Sequence, residues 1–166
     1  MPFSLRKMCL ADIDAVYAVQ AAAYVDDMVE ALSLLQARWL SAPDTAWVAY
    51  DTQGVCAYLV AYPSLHGKIT ALGSRFVVPE QPDCLYLHDL AVAPRAHGQQ
   101  LGSRLVRQAL QHAASARYPY SALVAVQNSQ AFWKKCGYTE HQTVSQDQLS
   151  CLRSYAGDAT YFVNTL

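Results

Sequence analysis

The chain has 166 residues, just over half of them apolar, with 15% charged residues and a net charge of −1. Such a length and composition describe one globular domain over residues 1–166, with enough apolar material for a real core. They exclude a disordered or collagen-like chain and a strongly basic nucleic-acid binder, and no apolar run reaches the roughly 18 residues of a membrane span.

The small net charge hides an asymmetry. Up to Asp83 there are five Lys or Arg against nine Asp or Glu; beyond it there are seven against four. An acidic front half suits a cationic substrate and a basic back half suits a polyphosphate, with solvated helix faces as the other reading. The five cysteines (Cys9, Cys56, Cys84, Cys136 and Cys151) have neither metal nor disulfide spacing and read as buried thiols of a reducing cytoplasm. The first ten residues hold no signal-peptide core, in keeping with a cytoplasmic location.

Phe3 to Lys7 alternates apolar and polar residues as a short strand does. Ala11 to Tyr24 places Ile13, Val16, Tyr17 and Ala21 on one helical stripe, with Asp12 and Asp14 at its positive end. Asp27-Met28-Val29-Glu30 has capping-box spacing and opens a second helix ending near Leu40. Ala46 to Tyr50 and Val55 to Tyr62 are strands joined at Thr52-Gln53-Gly54 as a hairpin. Pro63 to Asp83 is a long connection with room for one short strand, and connections of that length are often functional.

Leu85 to Val92 is the apolar run of a strand buried on both faces, and Pro94, lacking an N–H, ends it. Leu101, Leu105, Ala109, Leu110 and Ala113 then form the stripe of a helix running to about Arg117. Ser121 to Val126 reads as another buried strand. A short helix follows, capped by Asn128 or Ser129 and stopped at Gly137. Tyr138 to Val144 and Asp158 to Val163 complete the chain as two strands.

The turn from Arg95 to Gly102 joins a buried strand to a helix N-terminus, where free N–H groups and the positive helix end can hold a phosphate. On spacing alone, Gly98 and Gly102 read equally as ordinary loop glycines. Val92-Ala93-Pro94 with the following turn, however, resembles the first motif of the GNAT superfamily of N-acetyltransferases, V-x-P then R-x-x-G-x-G/A. His97 stands at that family's Arg, Gln100 at its first glycine and Gly102 at its second. Asn128 to Tyr138 resembles a second family motif, with Trp133 where a Tyr usually stands. Both motifs and the order of elements match the GNAT layout over nearly the whole length, and the chain is identified as a member. Within the superfamily, Leu87 to Val92 and Ala131 to Tyr138 resemble segments of arylalkylamine N-acetyltransferases, and Ala22-Ala23-Tyr24 resembles their E-A-F.

The resemblance implies an α/β (α+β) GNAT fold: a mixed, mostly antiparallel central sheet of about six or seven strands, splayed at the middle and flanked by about four helices. It implies transfer of acetyl from acetyl-CoA, a co-substrate, to the primary amine of a small molecule, directly in a ternary complex and without a metal. Two other functions stand beside this: a CoA-binding module without catalysis, and an acetyltransferase of peptide or protein amines. A monomer or homodimer is expected, with no nucleic-acid or membrane partner.

Residues follow from the same resemblance. Leu90, Ala91 and Val92 would turn free backbone to the thioester and pantetheine. His97, Gly98, Gln99, Gln100, Leu101, Gly102 and Ser103 would surround the pyrophosphate, and Asn128 and Trp133 would flank the pantetheine; for Asn128 a helix cap is an equal reading. If Gln100 needs a positive φ, strain of roughly 1–2 kcal/mol is expected. His88 is the expected general base, since imidazole titrates near neutrality, the alternative being a histidine merely hydrogen-bonded in place. Tyr155 is the candidate acid for the departing thiolate, which could also leave without one. Tyr24, Asp27 and Tyr86 are expected at the substrate, with Asp26 and Glu30 as further acids at its border. Cys84 and His88 would lie roughly 13 Å apart on a strand, too far to share a metal ion.

Overall fold

The computed structural model describes residues 2–126, 128–155 and 157–166. Seven strands and five helices follow in the order β1 (Ser4–Lys7), α1 (Ile13–Ala23), α2 (Leu32–Ser41), β2 (Ala46–Asp51), β3 (Gly54–Ser64), β4 (Cys84–Val92), α3 (Leu101–Ser115), β5 (Tyr120–Ala125), α4 (Gln130–Lys135), β6 (Thr139–Glu140), α5 (Gln146–Leu152) and β7 (Thr160–Thr165). The strands form one sheet ordered β1-β2-β3-β4-β5-β7-β6. Only β4 and β5 run parallel. This is the mixed, mostly antiparallel sheet that the family resemblance implies.

Alternation along the strands divides the apolar residues between two cores, one on each face. Val16, Val48, Tyr58, Tyr62 and Tyr86 pack on the face covered by α1 and α2. Leu59, Leu85, Leu87, Leu101, Leu105 and Trp133 pack on the face covered by α3 and α4. The stripe read from sequence on α3 is the buried one: Leu101, Leu105, Ala109 and Ala113 are all at most 1% exposed. Removing one such leucine side chain would cost about 2–5 kcal/mol, because the sheet beneath cannot collapse into the gap.

Three local expectations change. Asp27 and Glu30 form no capping box; a 3-10 turn at Asp26–Met28 is followed by extended chain, and α2 starts after Ala31, which makes no side-chain cap. Glu30 is buried instead and spent on tertiary bonds. The connection 65–83 contains no strand among the described residues, β3 having run on to Ser64. Finally, β6 is only two residues long, 141–145 form no regular element where the strand is expected to run on to Val144, and an unexpected helix, α5, follows. The sequence does hold a signal for α5, since Ser145-Gln146-Asp147-Gln148 has the S-x-x-Q spacing of a helix start. No helix among the described residues is long and apolar enough to cross a membrane.

Candidate active site

The site is made by a fault in the sheet. β4 pairs with β5 only from Cys84 to Leu87, opposite Tyr120 to Leu123. Beyond that point the two strands part, and His88 to Val92 have no β5 partner. On its other edge, β4 pairs Leu87 with Ala61 and Asp89 with Val60, so His88 is the extra residue of a β-bulge. The bulge shifts the alternation. Tyr86 faces the α1/α2 core before it, Ala91 faces the same core after it, and Leu90 and Val92 face the other side. His88 therefore shares a face with Tyr86 as strict alternation predicts, but not with Leu90.

Where the strands part lies a cavity of about 280 Å³. Leu90, Ala91, Val92, Val124, Gly102 and Trp133 line it. So do Tyr24, Met28, Leu72, His88, Asp89 and Tyr155. Tyr24, at the end of α1, donates its hydroxyl proton to the Leu90 carbonyl oxygen at 2.8 Å. The outer wall comes from the connection 65–83, pinned to the segment after β6. There the Ile69 N–H donates to Gln148 Oε1 at 2.8 Å, the Leu72 N–H to Ser154 Oγ at 2.8 Å, and the Tyr155 hydroxyl to the Thr70 carbonyl at 2.6 Å.

The α3 loop is exposed from His97 to Gln100. Gly98 has φ 80° and Gln100 φ 58°, so the strain expected at Gln100 is present. Leu101 to Ser103 open α3, where amides have no helical carbonyl to bond. A Cβ on Gly102 would stand 3.2 Å from Phe132 Cζ and 3.8 Å from Leu90 Cδ2, so the glycine keeps the floor between helix and strand open. These residues fit a bound pyrophosphate held mainly by backbone. Arg95 adds no free charge, since it binds Asp51 bidentately at 2.7 and 3.1 Å. His97 Nε2 lies 3.1 Å from the Val92 carbonyl oxygen.

Beside the cavity is a buried charge cluster that sequence patterning did not reveal. Glu30 accepts from Arg38 Nη1 at 2.6 Å and Nη2 at 2.7 Å, and from the Gly73 N–H at 2.8 Å. His88 Nε2 is 3.1 Å from Glu30 Oε1. The three side chains are at most 5% exposed. Burial alone would raise the Glu30 carboxyl, but hydrogen bonds from His88 and Arg38 outweigh it and hold it well below the usual range. Asp89 behaves the opposite way: burial pushes it up, opposed in part by His88 and by the Tyr58 hydroxyl at 2.5 Å. A lone acid inside the apolar run Leu85 to Val92 was the available signal for Asp89. Nothing in the periodicity of α2 marks Arg38.

Of the residues read from sequence, His88, Tyr24, Tyr155, Leu90, Ala91, Val92, Gly102 and Trp133 meet at this cavity. Asn128, at φ 60°, lines a neighbouring cavity with Val25, Met28 and Asp158. Ser129, not Asn128, takes the cap position of α4, with no side-chain cap bond. Tyr86 is buried two residues before His88 on β4, Asp26 and Asp27 are exposed, and none of the three lines either cavity. Glu30 lines the first cavity, but with its oxygens already bonded. Burial pushes the Tyr155 hydroxyl well up, and its proton is engaged by Thr70, which makes it a poor acid.

Residues 13–138 match the model of the acetyltransferase (GNAT) family. No curated protein matches the sequence. Among solved structures, Ard1 from Thermoplasma volcanium superposes with a TM-score of 0.74 at 14% identity, over 100% of this chain and 99% of that one. GphF, a GNAT-like decarboxylase in complex with isobutyryl-CoA, gives 0.76 at 16% identity over 98% of each chain. The ribosomal-protein-S18-alanine N-acetyltransferase from Escherichia coli gives 0.69 at 13% identity, over 99% and 94%. At such identities the likeness is one of fold, and the three proteins differ in what they do. The family match spans both parted strands, the bulge and the α3 loop, and the chain belongs to the acetyltransferase (GNAT) family.

Proposed function

We propose that the protein transfers acetyl from acetyl-CoA to the primary amine of a small molecule, directly, in a ternary complex. The observation that carries this is the placing of His88, a bulge residue on a parted strand, in a cavity that adjoins the α3 loop. When bound, acetyl-CoA supplies an activated acetyl thioester. The α3 amides from Gly98 to Ser103 hold the pyrophosphate, and the free edge of β4 at Leu90 to Val92 orients the acyl arm and polarises its carbonyl. His88 accepts the proton that the acceptor amine sheds as its nitrogen bonds to the acetyl carbon, directly or through one water. The sulfur departs as a thiolate and takes its proton from solvent, since Trp133 has no useful acidic proton and Tyr155 is committed to Thr70.

The pinned outer wall and the small cavity favour a small acceptor over a peptide. The cavity's apolar lining at Met28, Leu72 and Leu87 suits an amine on an apolar body, in keeping with the arylalkylamine likeness of β4. The five free cysteines support a reducing compartment such as the cytoplasm.

A screen of acetyl-CoA-dependent thiol release over aryl, aliphatic, polyamine and peptide amines tests the reading. Release with small amines and a loss of roughly 10²-fold in kcat/KM for His88→Gln, at unchanged acetyl-CoA affinity, is the expected result. A preference for peptides would move the acceptor class. Near-parental rates in His88→Gln would return that residue to a packing role.

A further inference from the structure

The Arg38–Glu30–His88 cluster is more elaborate than packing requires. A carboxylate gripped at both oxygens by a guanidinium is ionised, because arginine keeps its proton at any physiological pH. An ionised carboxylate can only accept hydrogen bonds, so the 3.1 Å contact between Glu30 Oε1 and His88 Nε2 requires the proton to sit on Nε2. In the neutral imidazole the lone pair is then on Nδ1. That nitrogen is buried and has no hydrogen-bond partner among the described residues, which is rare for a buried polar atom. The ring is also fixed sideways, with the Phe76 ring edge-on at 5.4 Å and Tyr86 stacked at 6.4 Å.

We propose that Glu30 is a positioning residue for His88: clamped by Arg38 and the Gly73 amide, it holds the imidazole in the Nε2–H tautomer and leaves Nδ1 as the proton acceptor. This rests on the reading that His88 takes the amine's proton. Arg38 has a second effect. A lone buried carboxylate would hold the imidazole in its charged form, which cannot act as a base; the guanidinium cancels most of that pull. Glu30 thus sets the ring's orientation. The other titratable groups around the ring, Tyr24, Tyr86, Asp89 and Tyr155, leave the Nε2 contact to Glu30 alone. Gly73 and Ser74, next in the chain to the cavity-lining Leu72, bind Glu30 and Arg38 directly, so that connection and the base share one anchor.

The experiment uses protein labelled with 15N-histidine. Long-range proton–nitrogen correlations assign the tautomer, and His88→Gln identifies the His88 signals among the five histidines. The parent should show neutral His88 protonated at Nε2. Glu30→Gln should give a mixed or Nδ1–H tautomer, lower kcat by about tenfold with KM for acetyl-CoA unchanged, and move the enzyme's pH–rate limb to lower pH. Because Glu30→Gln strands a buried Arg38, the double variant Glu30→Gln/Arg38→Met is made beside it and should show the same tautomer change with the folded protein recovered. A parent His88 protonated at Nδ1, or variants that keep the parental tautomer and pH limb, would overturn the proposal. If His88→Gln is fully active while Glu30 still sets the tautomer, the positioning stands and the base assignment falls.

Discussion

Replacing Gln100 by glycine should stabilise the fold. Gln100 sits at φ 58° and ψ 23° immediately before α3, in the left-handed region where a Cβ crowds the next carbonyl. That conformation costs a non-glycine residue about 1–2 kcal/mol. Glycine removes the strain but gives up about 0.5–1 kcal/mol more backbone entropy on folding. The balance is a gain of about 0.5–1 kcal/mol, which in a chain of this size raises Tm by about 1–4 °C. Little else changes, since the side chain makes no cap bond and is exposed. The bonds that matter are accepted by the backbone carbonyl of residue 100, from Ser103 Oγ at 3.0 Å and the Arg104 N–H at 3.1 Å. Urea unfolding should show a higher midpoint at unchanged slope. Gln100→Ala is the control, because it trims the side chain and keeps the Cβ; its stability should stay at the parental level. A glycine variant no more stable than the parent would refute the strain argument, and an equal gain in the alanine variant would assign it to the side chain.

Gly102→Asp should still fold, with a lowered Tm because its Cβ presses on Phe132 at 3.2 Å, and should lose the rise in Tm expected of the parent with acetyl-CoA. A ligand-induced shift surviving in that variant would remove the pyrophosphate from α3. In the first turn of the chain, the Arg6 guanidinium, 2.7 Å from Asp12, holds that carboxyl at about 2 against the opposing effect of burial. Its folded value lies below its unfolded one, so the contribution is complete above about pH 4 and disappears as pH falls towards 2. With Arg6 41% exposed, the size is about 1–2 kcal/mol after solvent screening. Acid titration of stability should therefore be steeper over that window in the parent than in Asp12→Asn, and parallel curves would show the pair to be inert.

The parts of this fold legible in the sequence are those with period and punctuation. The α3 stripe, the hairpin at Gly54 and the run Leu85 to Val92 each carry their own pattern, and each forms where the pattern places it. The motif around Pro94 and Gly102 marked the α3 side of the cavity through local chain geometry. The part of the cavity around Glu30 and His88 was less readable, because its residues meet only in three dimensions. Glu30 has capping-box spacing from Asp27, and nothing nearby in sequence signals that Arg38 will claim it instead. The bulge at His88 is likewise set by pairing with β3 across 28 residues of chain separating Val60 from His88, not by any local residue type. The polar stretch after Tyr138 alternates enough to suggest a strand, but its ladder with β7 covers Thr139 and Glu140 and ends with a backbone bond from the His141 N–H to the Tyr161 carbonyl at 2.8 Å.

The wall of the cavity is joined by bonds between distant parts of the chain. Gly67, Ile69, Thr70 and Leu72 are tied to Tyr161, Gln148, Tyr155 and Ser154, pairs 79 to 94 residues apart. The β3–β4 pairing and the β4–α3 turn close over much shorter separations. Contacts that close long loops gain little until most of the chain is ordered, so this connection is expected to consolidate after the β3–β4 pairing. Substitutions that weaken these ties should accordingly speed unfolding and leave refolding nearly unchanged.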